Sequence, residues 1–238
     1  MNVSNNFRKG IHDGLPICFG YFAVSFAFGI FSVKLGLSVA ETTLISLFNL
    51  TSAGQLAAVP IIAAGGSFIE LALSQLVINA RYSLMSVSLS QKLDSSIRIR
   101  DRFIIAFANT DEIFAVSSAQ QGLVGRKYML GLALAPILGW TFGTLFGAIA
   151  GNVLPQILVS ALGIAIYAMF IAIVVPVAKI NKGVLTASVA AVALSVLLYY
   201  APVLSDIPSG FSIIIIAVIV SSVMALTKPL GEEESDNA

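Results

Sequence analysis

A chain of 238 residues that is 58% hydrophobic and 11% charged, with a mean hydropathy of +0.95, carries too little charge to cover a water-facing surface. That excludes soluble globular folds, nucleic-acid binders and disordered chains. Thirteen Lys and Arg against twelve Asp and Glu leave a net charge of +1, so the useful signal is where the charges sit.

The apolar runs, in chain order, are Leu15 to Val33, Thr42 to Ala64, Ser67 to Ser90, Phe103 to Gln121, Tyr128 to Ala150, Val153 to Ala178, Val184 to Leu204 and Ile207 to Thr227. Each is about long enough to cross a hydrocarbon core at about 1.5 Å per residue. The first is too long for a signal-peptide core and lacks a small-x-small cleavage site after it, so it reads as a retained span. The expected fold is all-α: a polytopic membrane protein of about six full spans plus two interrupted or re-entrant helical segments. Residues 1–14 read as a cytoplasmic N-terminal segment, 15–227 as a single transmembrane domain and 228–238 as a cytoplasmic acidic tail.

Thr42 to Ala64 is interrupted by Asn49-Leu50-Thr51-Ser52-Ala53-Gly54-Gln55, in which Ser52 and Gln55 have capping-box spacing. Phe103 to Gln121 is interrupted by Asn109-Thr110-Asp111-Glu112, in which Asn109 and Glu112 are placed to cap a second half-helix. Both breaks fall near mid-depth, where non-helical backbone survives only if protein buries it or it lines a watery cavity. Paired discontinuous helices point to a transporter site. The bland reading of the first break is an ordinary helix whose polar residues bond back to their own backbone; for the second, two adjacent acids mid-span favour function over packing.

In the third run Gln75, Asn79, Tyr82, Ser83, Ser86 and Ser90 share one helix face, as a cavity wall or as interhelical hydrogen-bonding groups. Arg81 projects roughly opposite, too deep to snorkel fully, and is expected to meet Asp111 or Glu112 on another helix. Gly131, Ala135, Gly139, Gly143, Gly147 and Gly151 form a ridge of small residues suited to close helix packing. Trp140 and the Tyr199-Tyr200 pair read as interfacial anchors.

If both interrupted segments enter and leave on one side and the N-terminus is inside, nearly all basic residues, from Arg8 and Lys9 through the Gln91 to Arg102 loop to Lys228, lie in the cytoplasm, with Lys34 outside. A seven-span arrangement, with the N-terminus outside and only Phe103 to Gln121 re-entrant, competes closely. Eight full crossings would put the most basic loop outside and are rejected.

Cys18 is the sole cysteine and His12 the sole histidine, so no internal disulfide or His/Cys metal cluster is possible, and no metal or cofactor is expected. Gly122 to Tyr128 lacks the G-K-[ST] ending of a phosphate-binding loop, and neither G-x-S-x-G nor H-E-x-x-H occurs, which disfavours an enzyme.

Ala27-Phe28-Gly29, Ala53-Gly54-Gln55, Asn79-x-Arg81, Thr110-Asp111-Glu112 with Phe114-Ala115, Gly139-Trp140-Thr141-Phe142-Gly143-Thr144 and Ala161-Leu162-Gly163 stand in an order and spacing that resemble the AzlC family of branched-chain amino acid exporters. The resemblance covers about residues 14 to 227. It implies efflux of branched-chain or similar apolar amino acids across a prokaryotic plasma membrane, together with a small membrane subunit of the AzlD type. One departure is Tyr82, where the family often has His; tyrosine does not titrate near neutral pH, so a proton relay there is not expected.

The residues expected to line the substrate or ion pathway are Asn49, Thr51, Ser52, Gln55, Asn79, Arg81, Tyr82, Asn109, Thr110, Asp111 and Glu112. Half-helix N-termini offer a place for a carboxylate, and Asp111 or Glu112 one for an ammonium or a coupling proton. The alternative is a channel or membrane scaffold without carrier activity.

Overall fold

The computed structural model describes residues 3–155, 157, 171, 174–202, 204 and 206–227. In chain order the elements are β1 (Val3–Ser4), α1 (Phe7–Lys34), α2 (Val39–Phe48), α3 (Ser52–Ala63), α4 (Phe68–Ser90), α5 (Ile99–Phe107), α6 (Asp111–Ser118), β2 (Leu123–Val124), α7 (Arg126–Val153), α8 (Lys182–Tyr200) and α9 (Ser209–Thr227). Most of the Val153 to Ala178 run, Ala161-Leu162-Gly163 within it, and the acidic residues 228–238 lie outside the described residues. Four described helices, α1, α7, α8 and α9, are both long and apolar enough to cross a membrane. The chain divides into two compact units, residues 1–59 with 79–166 and residues 60–78 with 167–238, so the boundaries fall inside α3 and α4.

In the first unit, α1 begins where the Asn6 side chain accepts hydrogen bonds from the Arg8 and Lys9 N–H groups. It ends at Leu35, beyond which Gly36 takes φ +97°, a left-handed turn that glycine accepts without strain. The glycine ridge of α7 is filled by α1. A Cβ added at Gly131, Gly139, Gly143 or Gly147 would collide with α1 backbone from Phe7 to Phe26, and one at Gly10 or Gly29 with the backbone of α7. The helices therefore touch main chain to main chain, as small-residue ridges allow. Because Phe7 meets Gly131 and Ile30 meets Gly151, they run parallel, and the strands just before them, β1 and β2, pair in parallel too.

The basic residues near these starts share one rim. Val124 N–H donates to Lys92 O at 2.9 Å and Asp94 N–H donates to Val124 O at 3.0 Å. Lys9 bridges Asp13 at 3.1 Å and donates to Gln120. Arg126 pairs with the buried Asp101 at 2.9 Å.

Both interrupted segments are helical hairpins that return to the side from which they started. Ser38 and Glu41 cap the start of α2 reciprocally. Leu37, just before α2, and Val59, late in α3, share one buried cluster with Phe28; on one continuous helix they would stand roughly 33 Å apart. Likewise α5 starts at the basic rim through Asp101, and α6 returns there, where Lys92 Nζ donates to Ser118 O at 2.7 Å. A seven-span arrangement sets α1 antiparallel to α7, whereas here the two helices run parallel.

In the second unit, Glu70 on the first turn of α4 accepts a hydrogen bond at 2.9 Å from the Gly210 N–H at the start of α9, capping that helix from a distant part of the chain. α8 and α9 are apolar all round and largely exposed, the pattern of lipid-facing helices.

The rim carries a pH prediction. Burial alone pushes the Asp101 carboxyl up, but the Arg98 N–H and the Arg126 guanidinium together hold it below the ordinary aspartate range. The native state thus binds this proton less readily than the unfolded chain. The resulting stabilisation is complete above the unfolded aspartate pKa and is lost as pH falls through the depressed native value. In acid-range thermal scans of the detergent-purified protein, Asp101→Asn should be less stable than wild type at neutral pH, with the gap closing as pH falls. A gap that stays constant with pH would remove the ion pair as its cause.

Candidate functional site

The two hairpin tips meet at the middle of the first unit. Tyr21, the partner of Glu112, and Trp140, the partner of Gln55, each stand roughly 20 Å from both ends of their 28-residue helices. Between the tips lies a cavity of about 240 Å³, lined by Phe48, Asn49, Leu50 and Thr51 from the first break and by Ala106, Phe107, Asn109 and Thr110 from the second. Asn79 and Tyr82 of α4 close its side. The volume gives room for several waters or for a small organic solute. Apolar side chains make up part of the wall and amide or hydroxyl groups the rest, the make-up of a small-molecule site.

The first break is held by its own side chains. Asn49 takes extended backbone after α2, and its Oδ1 accepts from Thr51 N–H at 3.1 Å. Thr51 caps α3, its Oγ1 accepting from Gly54 N–H at 2.9 Å and its carbonyl from Gln55 N–H at 3.0 Å. The expected Ser52/Gln55 capping box is therefore absent. Ser52 is the first residue of the helix, and its buried hydroxyl has no hydrogen-bond partner among the described residues. Gln55 points into protein instead: its Nε2 donates to Ser46 at 3.1 Å, its Oε1 accepts from the Trp140 indole at 3.3 Å, and Ser46 lies 2.7 Å from Thr144. A buried amide must be satisfied, and this polar cluster does so where a helix N-terminus has a closer cap in Thr51.

In the second break Thr110, not Asn109, is the N-cap residue, and Glu112 does not reach back to it. Asn109 is drawn sideways, its Nδ2 donating to Ser86 of α4 at 3.1 Å. The buried Asn109 Oδ1 has no hydrogen-bond partner among the described residues, although Asn109 lines the cavity. The two acids that open α6 diverge. Asp111 forms an ion pair with Arg81, whose guanidinium also lies 4.8 Å from the Tyr82 ring centroid and donates to the Tyr82 hydroxyl at 3.3 Å. Glu112 accepts a hydrogen bond from the Tyr21 hydroxyl and joins no ion pair among the described residues. Arg81 and Asp111 leave 47% and 49% of their side chains exposed.

Of the expected pathway residues, Asn49, Thr51, Asn79, Tyr82, Asn109 and Thr110 line the cavity. Ser52 and Gln55 belong to the support behind the first tip, and Arg81, Asp111 and Glu112 form a charged cluster beside it.

A family model described as AzlC protein matches residues 16–154. The chain belongs to the AzlC family. The inner membrane protein YgaZ of Escherichia coli (strain K12) is 32% identical over 174 residues, 70% of this chain and 71% of that protein. A membrane protein of Archaeoglobus fulgidus is 33% identical over 180 residues, 74% of this chain and 78% of that protein. One from Helicobacter pylori (strain 26695) is 27% identical over 155 residues, 62% and 67% of the two chains. No solved structure matches. The AzlC match runs from α1 to the end of α7 and so contains both hairpins, and the chain is a membrane protein.

Some residues of the candidate site are not evident from their sequence surroundings. Trp140 is not an interfacial anchor: it is 1% exposed, at the centre of the unit, with the Tyr21 ring 5.1 Å away edge-on. Tyr21, Trp140, Ser46 and Thr144 sit in stretches that read as ordinary apolar helix. A signal for the tips does exist. Phe48-x-x-Thr51 and Phe107-x-x-Thr110 each place the last residue of one half-helix and the residue just before the next.

Proposed function

We propose that the chain is the large subunit of an exporter of branched-chain or similar apolar amino acids in a prokaryotic plasma membrane, coupled to protons and working with a small AzlD-type membrane subunit. The observation that carries this reading is the meeting of two oppositely inserted broken helices at mid-depth around one small cavity. Irregular backbone at that depth needs a watery or protein-lined site, and discontinuous helix pairs are a recurring solution for binding small charged substrates there. Phe48, Leu50 and Phe107 suit an aliphatic side chain. Arg81 suits a carboxylate, and Glu112, which has no cationic partner among the described residues, suits an ammonium or a proton. The half-exposed Arg81–Asp111 pair supports the partner subunit, because a charge pair facing lipid at that depth is costly and a second polypeptide would cover it. The basic rim is assigned to the cytoplasm.

The test is counterflow in proteoliposomes. Vesicles loaded with unlabelled leucine should accumulate radiolabelled leucine transiently when this chain and the small subunit are both present, and much less when the chain is alone. Flux that is linear in substrate concentration would favour a channel, and no flux would favour a scaffold.

A further inference from the structure

A second cavity, of about 190 Å³, lies between α4 and α5 on the side of the basic rim, lined by Ser86, Leu89, Ser90, Leu93, Arg102, Ile105, Ala106 and Asn109. Only Ala106 and Asn109 are common to both cavities. Asn109 is 3% exposed, and its Nδ2 bond to Ser86 at 3.1 Å ties the second hairpin tip to α4 where the two cavities adjoin. The polar face of α4 runs through both: Asn79 and Tyr82 line the central cavity, Ser86 and Ser90 the second. Helical spacing puts these residues in one continuous column.

We propose that the second cavity is the basic-side vestibule of the substrate path and that the Asn109–Ser86 hydrogen bond is the barrier between it and the central cavity. The inference rests on the reading of the central cavity as the substrate site. Its ligand is then the same small zwitterion, passing along hydroxyl and amide groups that stand in for water. Breaking one neutral hydrogen bond between a hairpin tip and α4 opens the connection, a modest barrier suited to repeated cycling. Once free of Ser86, the Asn109 amide offers the passing zwitterion a donor as well as its unpaired acceptor. Arg102 gives the vestibule a fixed positive charge that attracts the carboxylate end. Asn109 thus acts as a positioning and gating residue.

The experiment is thiol accessibility in the assembled protein made cysteine-free by Cys18→Ser, using an impermeant methanethiosulfonate applied to inside-out membrane vesicles. Single substitutions report three places: Ser90→Cys the vestibule, Thr51→Cys the central cavity, and Ser32→Cys a fully buried position on α1. Ser90→Cys should label readily, and Thr51→Cys slowly. Adding Asn109→Ala, or separately Ser86→Ala, should raise the Thr51→Cys rate by about tenfold, the factor that loss of one hydrogen bond of about 1.4 kcal/mol produces, while Ser32→Cys stays unreactive. An inert Ser90→Cys, an unchanged Thr51→Cys rate in both variants, or a parallel rise at Ser32→Cys would overturn the barrier. Leucine counterflow measured on the Cys18→Ser parent keeps the two ideas apart. Absent counterflow with the accessibility pattern intact defeats the amino acid reading alone, and normal counterflow with the pattern absent defeats the barrier alone.

Discussion

Gly147→Ala should unfold or severely destabilise the protein, whereas Gly20→Ala, the same chemical change on the partner helix, should be tolerated. A Cβ at Gly147 would sit on the backbone of Phe26, and one at Gly20 meets nothing within 4 Å. A flexible side chain could rotate away, but the main chain of α1 cannot retreat without separating two helices joined along most of their length. The cost should reach at least about 3 kcal/mol, the upper end of core overpacking, or a fall of about 6–12 °C in melting temperature for a chain of this size. Gly20→Ala gains helix propensity and should be neutral or slightly stabilising. Thermal scans and the monodisperse fraction after detergent extraction check both; a Gly147→Ala protein that melts with wild type would show that the helices are not in backbone contact. The consequence reaches function, because Tyr21 on α1 and Trp140 on α7 support the two hairpin tips. The glycine ridge is filled within the chain, so the small subunit of the proposed exporter would dock elsewhere.

What the sequence made legible follows from which forces act locally. Apolar runs, and polar groups that interrupt them near mid-depth, report the cost of burying unsatisfied groups, a property of composition; the helices and both breaks were readable on that basis. Caps were not. Ser52 and Gln55 have the right spacing, but Thr51, the residue just before the helix, caps the Gly54 N–H, and Gln55 is claimed by Trp140 and Ser46 from elsewhere in the fold. Glu112 is taken in the same way by Tyr21. Trp140 misleads because tryptophan is common at membrane interfaces, and only the placement of α7 against α1 shows its indole N–H reaching a buried amide. The Arg81 counter-charge could be narrowed to two adjacent acids by depth. The choice between them depends on helix rotation: α6 turns Asp111 toward α4 and Glu112 toward α1. Charge counting hardly distinguishes the seven-span alternative from the hairpin arrangement, and the clustering of Leu37 and Val59 with Phe28 is a tertiary fact.

That division of the two acids sets the expected behaviour of their mutants. Asp111 has Arg81, so this pair is neutral as a unit, while Glu112 has a phenol but no cation of its own among the described residues. A carboxylate at mid-depth that joins no ion pair is available to a cation entering the site. On the proposed reading Glu112 alternates between the substrate ammonium and a proton, and Arg81 leaves Asp111 for the substrate carboxylate. Glu112→Gln should then lower proton-driven efflux by about 5- to 150-fold, the range set by a coupling free energy of about 1–3 kcal/mol, and should flatten its dependence on pH. Asp111→Asn should keep a pH-dependent flux but change the apparent substrate affinity, because Arg81 is then held less tightly. Arg81→Ala should weaken both binding and folding. The stability loss should be on the order of 1–2 kcal/mol rather than the 3–5 kcal/mol of a fully buried pair, since about half of each side chain is exposed. The reversed pair, Arg81→Asp with Asp111→Arg, should regain stability without regaining transport, which separates the structural part of the interaction from the substrate-binding part. Efflux measured across pH for each variant decides between the acids. If Asp111→Asn abolishes the pH dependence and Glu112→Gln leaves it intact, the coupling proton sits on the paired carboxylate, and Glu112 serves only to anchor the hairpin tip to Tyr21.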